Sequence, residues 1–143
     1  MVNERSDFCI FTIRHRDYSE AAVKRGGSDE FTENKRWVTG KRLLEEATED
    51  GMRLPIVFGA ADTGGPLVGW AVVDEITHYD RETKCSFSGF RKFKKGDYRK
   101  PSLKKKSNGE PLDEWFIKPY AICHTPDYIR TAKGRAATEA TRK

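Results

Sequence analysis

The sequence predicts an α+β fold, a small β-barrel or strongly bent antiparallel sheet with one main helix. Three observations lead there. Several short runs rich in β-branched and aromatic residues are separated by turn chemistry, one segment has helical spacing, and 143 residues suffice for a single self-sufficient core. One domain is expected over residues 1–129, with 130–143 a basic, disordered tail that lacks core residues.

Residues 7–15, DFCIFTIRH, read as a buried first strand. Residues 17–32 carry Gly26-Gly27-Ser28-Asp29 and mixed charge, which suits a loop with at most a short helical turn. Residues 33–50 read as the main helix, with Trp37, Leu43, Leu44 and Ala47 near helical spacing and Gly51 as the stop. Gly40 weakens its middle, so a second version ends one short helix near Trp37 and starts another with Thr39 as cap.

Residues 52–61 suit a buried strand, and Asp62-Thr63-Gly64-Gly65-Pro66 is a turn. Gly64-Gly65 follows an acid and has no lysine at a phosphate-cradle offset, so it is read as a hairpin turn. Residues 67–79 are the strongest strand: Val68, Trp70, Val72 and Asp74 alternate with Gly69, Ala71, Val73 and Glu75, as in a strand crowded on both faces. Asp80-Arg81-Glu82-Thr83 turns the chain into a return strand over 84–93, where Ser88-Gly89 permits a bulge. Residues 94–114 are basic and poor in apolar side chains, which predicts a long flexible excursion. Residues 115–123 return to strand character.

The chemistry of the side chains narrows the function classes. Cys9, Cys85 and Cys123 are odd in number, widely spaced and without a CxxC pair, so neither a disulfide framework nor a zinc site is expected, and no cofactor is implied. No apolar run approaches the roughly 20 residues of a membrane span, and the first residues lack a signal-peptide core, so a cytoplasmic protein with no membrane contact is expected. No established catalytic motif occurs. Cys123 and His124 adjoin, but on a strand they face opposite ways. Lys41, Thr83 and Glu75 could make a mixed hydrolytic site, which the sequence does not assemble.

The net charge of +5 is unevenly placed. Residues 91–106 hold nine basic side chains against Asp97, and residues 130–143 hold five against Glu139. The rest has thirteen bases against twenty acids, a segregation that suits a polyanionic partner. Rings lie among the cations in Phe90-Arg91-Lys92-Phe93-Lys94-Lys95, Arg36-Trp37 and Lys118-Pro119-Tyr120. Such rings can stack on bases at about 1–3 kcal/mol each while cations hold phosphates. The plainer reading puts Trp37, Trp70 and Phe87 in the core and the charges on a solvated loop and tail.

Three segments resemble the small PUA-like domains, in particular the ASCH and EVE types, over about residues 8–129. They are Trp37-Val38-Thr39-Gly40-Lys41-Arg42, Leu67-Val68-Gly69-Trp70-Ala71-Val72-Val73-Asp74-Glu75-Ile76, and Lys118-Pro119-Tyr120-Ala121-Ile122-Cys123-His124-Thr125-Pro126. The resemblance implies RNA or single-stranded or modified DNA binding, with a base held in a cleft beside the barrel. It nominates Trp37, Trp70 and Tyr120 for stacking, and Thr39, Lys41 and Arg42 for a base edge or phosphate. Arg91, Lys92, Lys104, Lys105 and Lys106 would track the backbone. Two further functions stay open: an ASCH-type hydrolase acting on RNA or a modified nucleoside, and an interaction domain for an acidic protein. The chain departs from the usual family order after Gly40-Lys41, where Arg-Leu-Leu-Glu follows, so no catalytic lysine is assigned to Lys41.

Overall fold

A computed structural model describes residues 5–14, 27–33, 36–60, 66–93, 98–113 and 120–130. Outside them lie the Gly64-Gly65 turn, most of the loop expected over 17–32, the first part of the strand expected over 115–123, and the tail beyond Arg130. The elements in chain order are β1 (Phe8–Arg14), β2 (Asp29–Glu33), α1 (Val38–Glu49), β3 (Pro55–Ala60), β4 (Leu67–Tyr79), β5 (Glu82–Lys92), a 3₁₀ turn (Lys100–Ser102), β6 (Lys104–Lys105), β7 (Ala121–His124) and α2 (Asp127–Arg130).

Among the described residues the strands form one seven-stranded sheet in the order β2-β5-β4-β3-β1-β7-β6. The α+β class and the main helix are therefore as expected, but the sheet is mixed. β1 and β3 run parallel, with Ile10 opposite Ile56, because α1 carries the chain across the sheet between β1 and β3; the other pairs are antiparallel.

Strand alternation gives the sheet two buried faces. Ile10, Ile56, Phe58, Ala71, Val73, Phe87 and Phe90 meet Trp37, Leu43 and Ala47 of the helix region. On the other face Cys9, Phe11, Val57, Trp70, Val72 and Cys123 meet Leu103, Leu112 and Ile129. This double cover explains the crowded alternation of β4 and puts Trp70 and Trp37 on opposite faces.

α1 begins at Val38, close to the version of the sequence reading with a break at Trp37. The Trp37 backbone N–H donates to Thr83 Oγ1 at 2.9 Å, so β5 supplies the partner where the helix starts. Gly40, Leu43 and Ala47 form its buried stripe. An added Cβ at Gly40 would sit 3.0 Å from the Tyr120 hydroxyl and 3.2 Å from Ile10, so the glycine permits a close approach of helix and sheet. The stop at Gly51 is as expected: its φ is 73°, and Met52 N–H bonds Ala47 O at 2.7 Å while Gly51 N–H bonds Thr48 O at 3.1 Å. Asp80, at φ 53°, and Arg81 make the expected tight turn between β4 and β5.

Two expectations are corrected. Residues 29–33 form edge strand β2, where only Phe31 points into the core and no apolar alternation marks the strand. The excursion over 94–114 is also ordered where it is described. Leu103 and Leu112 are fully buried and joined by a 2.9 Å bond from Leu112 N–H to Leu103 O, and β6 pairs with β7. Two leucines nine positions apart fit neither helical nor strand periodicity, so the pattern hides them.

Cys9 and Cys123 are cross-strand partners, and both are free and buried. Burial pushes the Cys123 thiol up to about 12 against a pull from Lys105, raises Cys9 well above its ordinary value, and pushes the Tyr128 hydroxyl up to about 12. Each folded group holds its proton where the unfolded chain would release it, from ordinary values of 9.0 for cysteine and 10.0 for tyrosine. Stability is therefore complete below about pH 9 and falls as pH rises toward 12. Urea midpoints measured from neutral pH upward are expected to drop through that window, and a midpoint that stays level there contradicts the burial.

Candidate functional site

The residues singled out by sequence fall into three groups. The first surrounds the start of α1. Trp37 is 1% exposed and stacks on Tyr120 with ring centroids 4.5 Å apart and planes 17° apart, while Phe31 packs edge-on at 5.6 Å. The half-buried Tyr120 hydroxyl accepts from Gly40 N–H at 2.6 Å. Lys41 pairs with Glu45 at 3.5 Å and reaches Ile76 O at 3.5 Å. Thr39 and Arg42 are exposed on the helix. Trp37, Lys41 and Tyr120 thus lie around the start of α1, and Tyr120 occupies the stacking position on the Trp37 indole. Thr83 lies in the same region, engaged at the helix start, and Glu75 is exposed.

The second group is Trp70 with Arg91, which are direct cross-strand partners and therefore share a face. Trp70 is 4% exposed, and the Arg5 guanidinium lies 5.3 Å from its ring centroid. Lys92, next along β5, is exposed.

The third group is Lys104, Lys105 and Lys106 at the β6 edge. Lys104 and Lys106 are exposed and Lys105 is half-buried. β6 pairs Lys104 with His124, and Lys106 N–H bonds Ile122 O at 2.9 Å. The Lys106 ammonium sits 4.9 Å over the Phe8 ring, whose centroid is 5.1 Å from that of exposed His124. Ile122 and Tyr120 continue the same row, so the third group adjoins the first. It does not adjoin the second, since four strands separate β5 from β6.

The sequence reading did not nominate half-buried Phe8, exposed His124, Arg5, Arg53 or Lys100 as site residues. Lys100 is 1% exposed, its side chain and the Phe11 ring both lie close to Gly59, and burial lowers its pKa against the pull of Asp113. Arg5 and Arg53 lie 48 positions apart, and only the β1–β3 pairing direction makes them neighbours. Among the described residues no cluster of three or more His, Cys, Asp or Glu side chains could hold a metal ion, and no helix is long and apolar enough to cross a membrane. Compared with known proteins, the chain matches no family model and no curated sequence.

Proposed function

We propose that the protein is a nucleic-acid-binding module that holds a single strand of RNA or DNA along the β7–β6 edge. One observation carries this reading: exposed lysines and partly exposed rings alternate there, with Lys106 over Phe8 and His124 beside it. Lys104 and Lys106 would hold phosphates, and Phe8, His124 and Tyr120 would offer faces or edges to unstacked bases. The buried indoles have a different part in this reading. Trp37 supports Tyr120 from behind, and Trp70 supports a cation. The chain is, on this proposal, a cytoplasmic PUA-like domain whose bent sheet curls toward a barrel.

The test is fluorescence anisotropy with labelled single-stranded RNA and DNA over a range of salt. Each phosphate neutralised contributes a slope of about −0.7 in log K against log salt. The double variant Lys104→Glu/Lys106→Glu is expected to lose at least about tenfold in affinity and to flatten the slope by about 1.4. Lys105 is left intact because it is half-buried against Cys123. Binding indifferent to both salt and charge reversal would falsify the proposal. Capture of an acidic protein with no nucleic acid would replace it with the interaction-domain reading.

A further inference from the structure

A second cationic site lies on the opposite face of the sheet, away from the lysine edge. Arg5 and Arg53 are paired across a parallel bridge at the entries to β1 and β3. Arg91 stands directly opposite Trp70 on β5. The Arg5 guanidinium lies 5.3 Å over the Trp70 indole and is 8% exposed, while Arg53 and Arg91 are half-exposed around it.

All three side chains are on one face. Leu54 and Phe90, the neighbours of Arg53 and Arg91, belong to the helix-side core, whereas Trp70 belongs to the other. Burial, then the charges of Arg91 and Arg53, lower the Arg5 pKa, which places the three cations within electrostatic reach of one another. Asp74 is the acid described beside them: it lies 3.9 Å from Arg53 and accepts from Ser88 at 3.1 Å. Arg5 and Arg91 have further interactions of their own, and it is the density of cations, not vacant donors, that favours an anion here. Bringing a third guanidinium beside two others costs electrostatic energy that an anion would recover. A planar fork of five donors fits phosphate oxygens in bidentate fashion. Arg5, held against an indole, already has its conformational freedom removed, so little entropy remains to be lost on binding.

We propose that Arg5, Arg53 and Arg91, gathered at Trp70, form a phosphate-binding site. The phosphate arrives either as a free anion or as the end of a nucleic-acid strand. The site does not depend on the lysine edge, and either can fail without the other.

The intact chain is titrated with inorganic phosphate while arginine side-chain N–H resonances and tryptophan fluorescence are followed. A second arm compares a 5′-phosphorylated single-stranded oligonucleotide with its 5′-hydroxyl twin. Arg53→Gln and Arg91→Gln are the variants, chosen because both residues are half-exposed, and circular dichroism checks their folding. Arg81→Gln is the control, since Arg81 is exposed in the β4–β5 turn, at the far end of the hairpin from Trp70 and Arg91. Saturable phosphate binding is expected, weakened at least about tenfold by each arginine variant and unchanged by the control, the equivalent of one charge-assisted hydrogen bond. A preference for the 5′-phosphorylated strand that disappears in the same variants assigns the phosphate to a strand end. Equal binding of both strands, with free phosphate still bound, assigns it to a free anion. No saturable response to phosphate in either arm, or a response that all variants share, overturns the site.

Discussion

Replacing Trp37 with alanine is expected to lower the unfolding free energy by about 3–5 kcal/mol. The indole is 1% exposed and anchors the point where α1 meets the sheet. Its removal leaves a cavity bounded by Tyr120, stacked at 4.5 Å, and Phe31, edge-on at 5.6 Å. Aromatic pairs of this kind add about 0.5–1.5 kcal/mol beyond burial. Tyr120 also loses the surface that holds its hydroxyl against Gly40 N–H, so the helix start loosens with it. Trp37→Phe keeps a ring in place and should recover more than half of the loss. Equilibrium denaturation in urea measures both variants. The outcome also separates two roles that the sequence leaves open. A tryptophan that stacks on bases would cost binding and leave stability nearly intact. An alanine variant within about 1 kcal/mol of the parent would therefore return Trp37 to the surface and refute the packing described.

The parts of this fold that were legible in the sequence are those whose signals are local. β4 announces itself by dense alternation, the Asp80-Arg81 turn by its flanking strands, and the end of α1 by Gly51. The opposite facing of Cys123 and His124 follows from strand geometry alone: the thiol is buried and the imidazole exposed. The illegible parts depend on contacts distant in sequence. β2 has one apolar contact with the core, Phe31, and becomes a strand because β5 offers it an open edge. The site residues divide in the same way. Lysines 104–106 were visible as a charge run, but their neighbour Phe8 comes from the other end of the chain. Trp70 and Arg91 were both named, but Arg5 and Arg53 join them only through the parallel pairing of β1 with β3. Composition reports how many cations a chain has, and topology decides which of them share a face.

The segment around β6 gives the sharpest test of that distinction. Leu103→Ala is expected to cost about 2–5 kcal/mol, although Leu103 lies in the most basic, least apolar part of the chain. Its side chain is fully buried with Cys9, Phe11, Val57, Cys123 and Ile129 beneath the sheet, and its carbonyl accepts from Leu112 N–H at 2.9 Å. Truncation opens a cavity between the sheet and the segment that covers it, and β6 loses its anchor. Lys104→Ala, one position on and exposed, should stay within about 0.5 kcal/mol of the parent. Adjacent residues with such different costs are the signature of an ordered cover, because a solvated loop would tolerate both. Trypsin supplies an independent reading. Arg99, Lys104, Lys105 and Lys106 are four potential cleavage sites within the described part of the segment, Lys100 being protected by Pro101 after it. They should be cut slowly in the folded parent and much faster in Leu103→Ala, since cleavage of a packed backbone requires local opening. Rapid cleavage of the parent at these sites, with Leu103→Ala as stable as Lys104→Ala, would make the segment the mobile excursion that its composition suggests. The lysine edge would then have no fixed geometry from which to hold a strand.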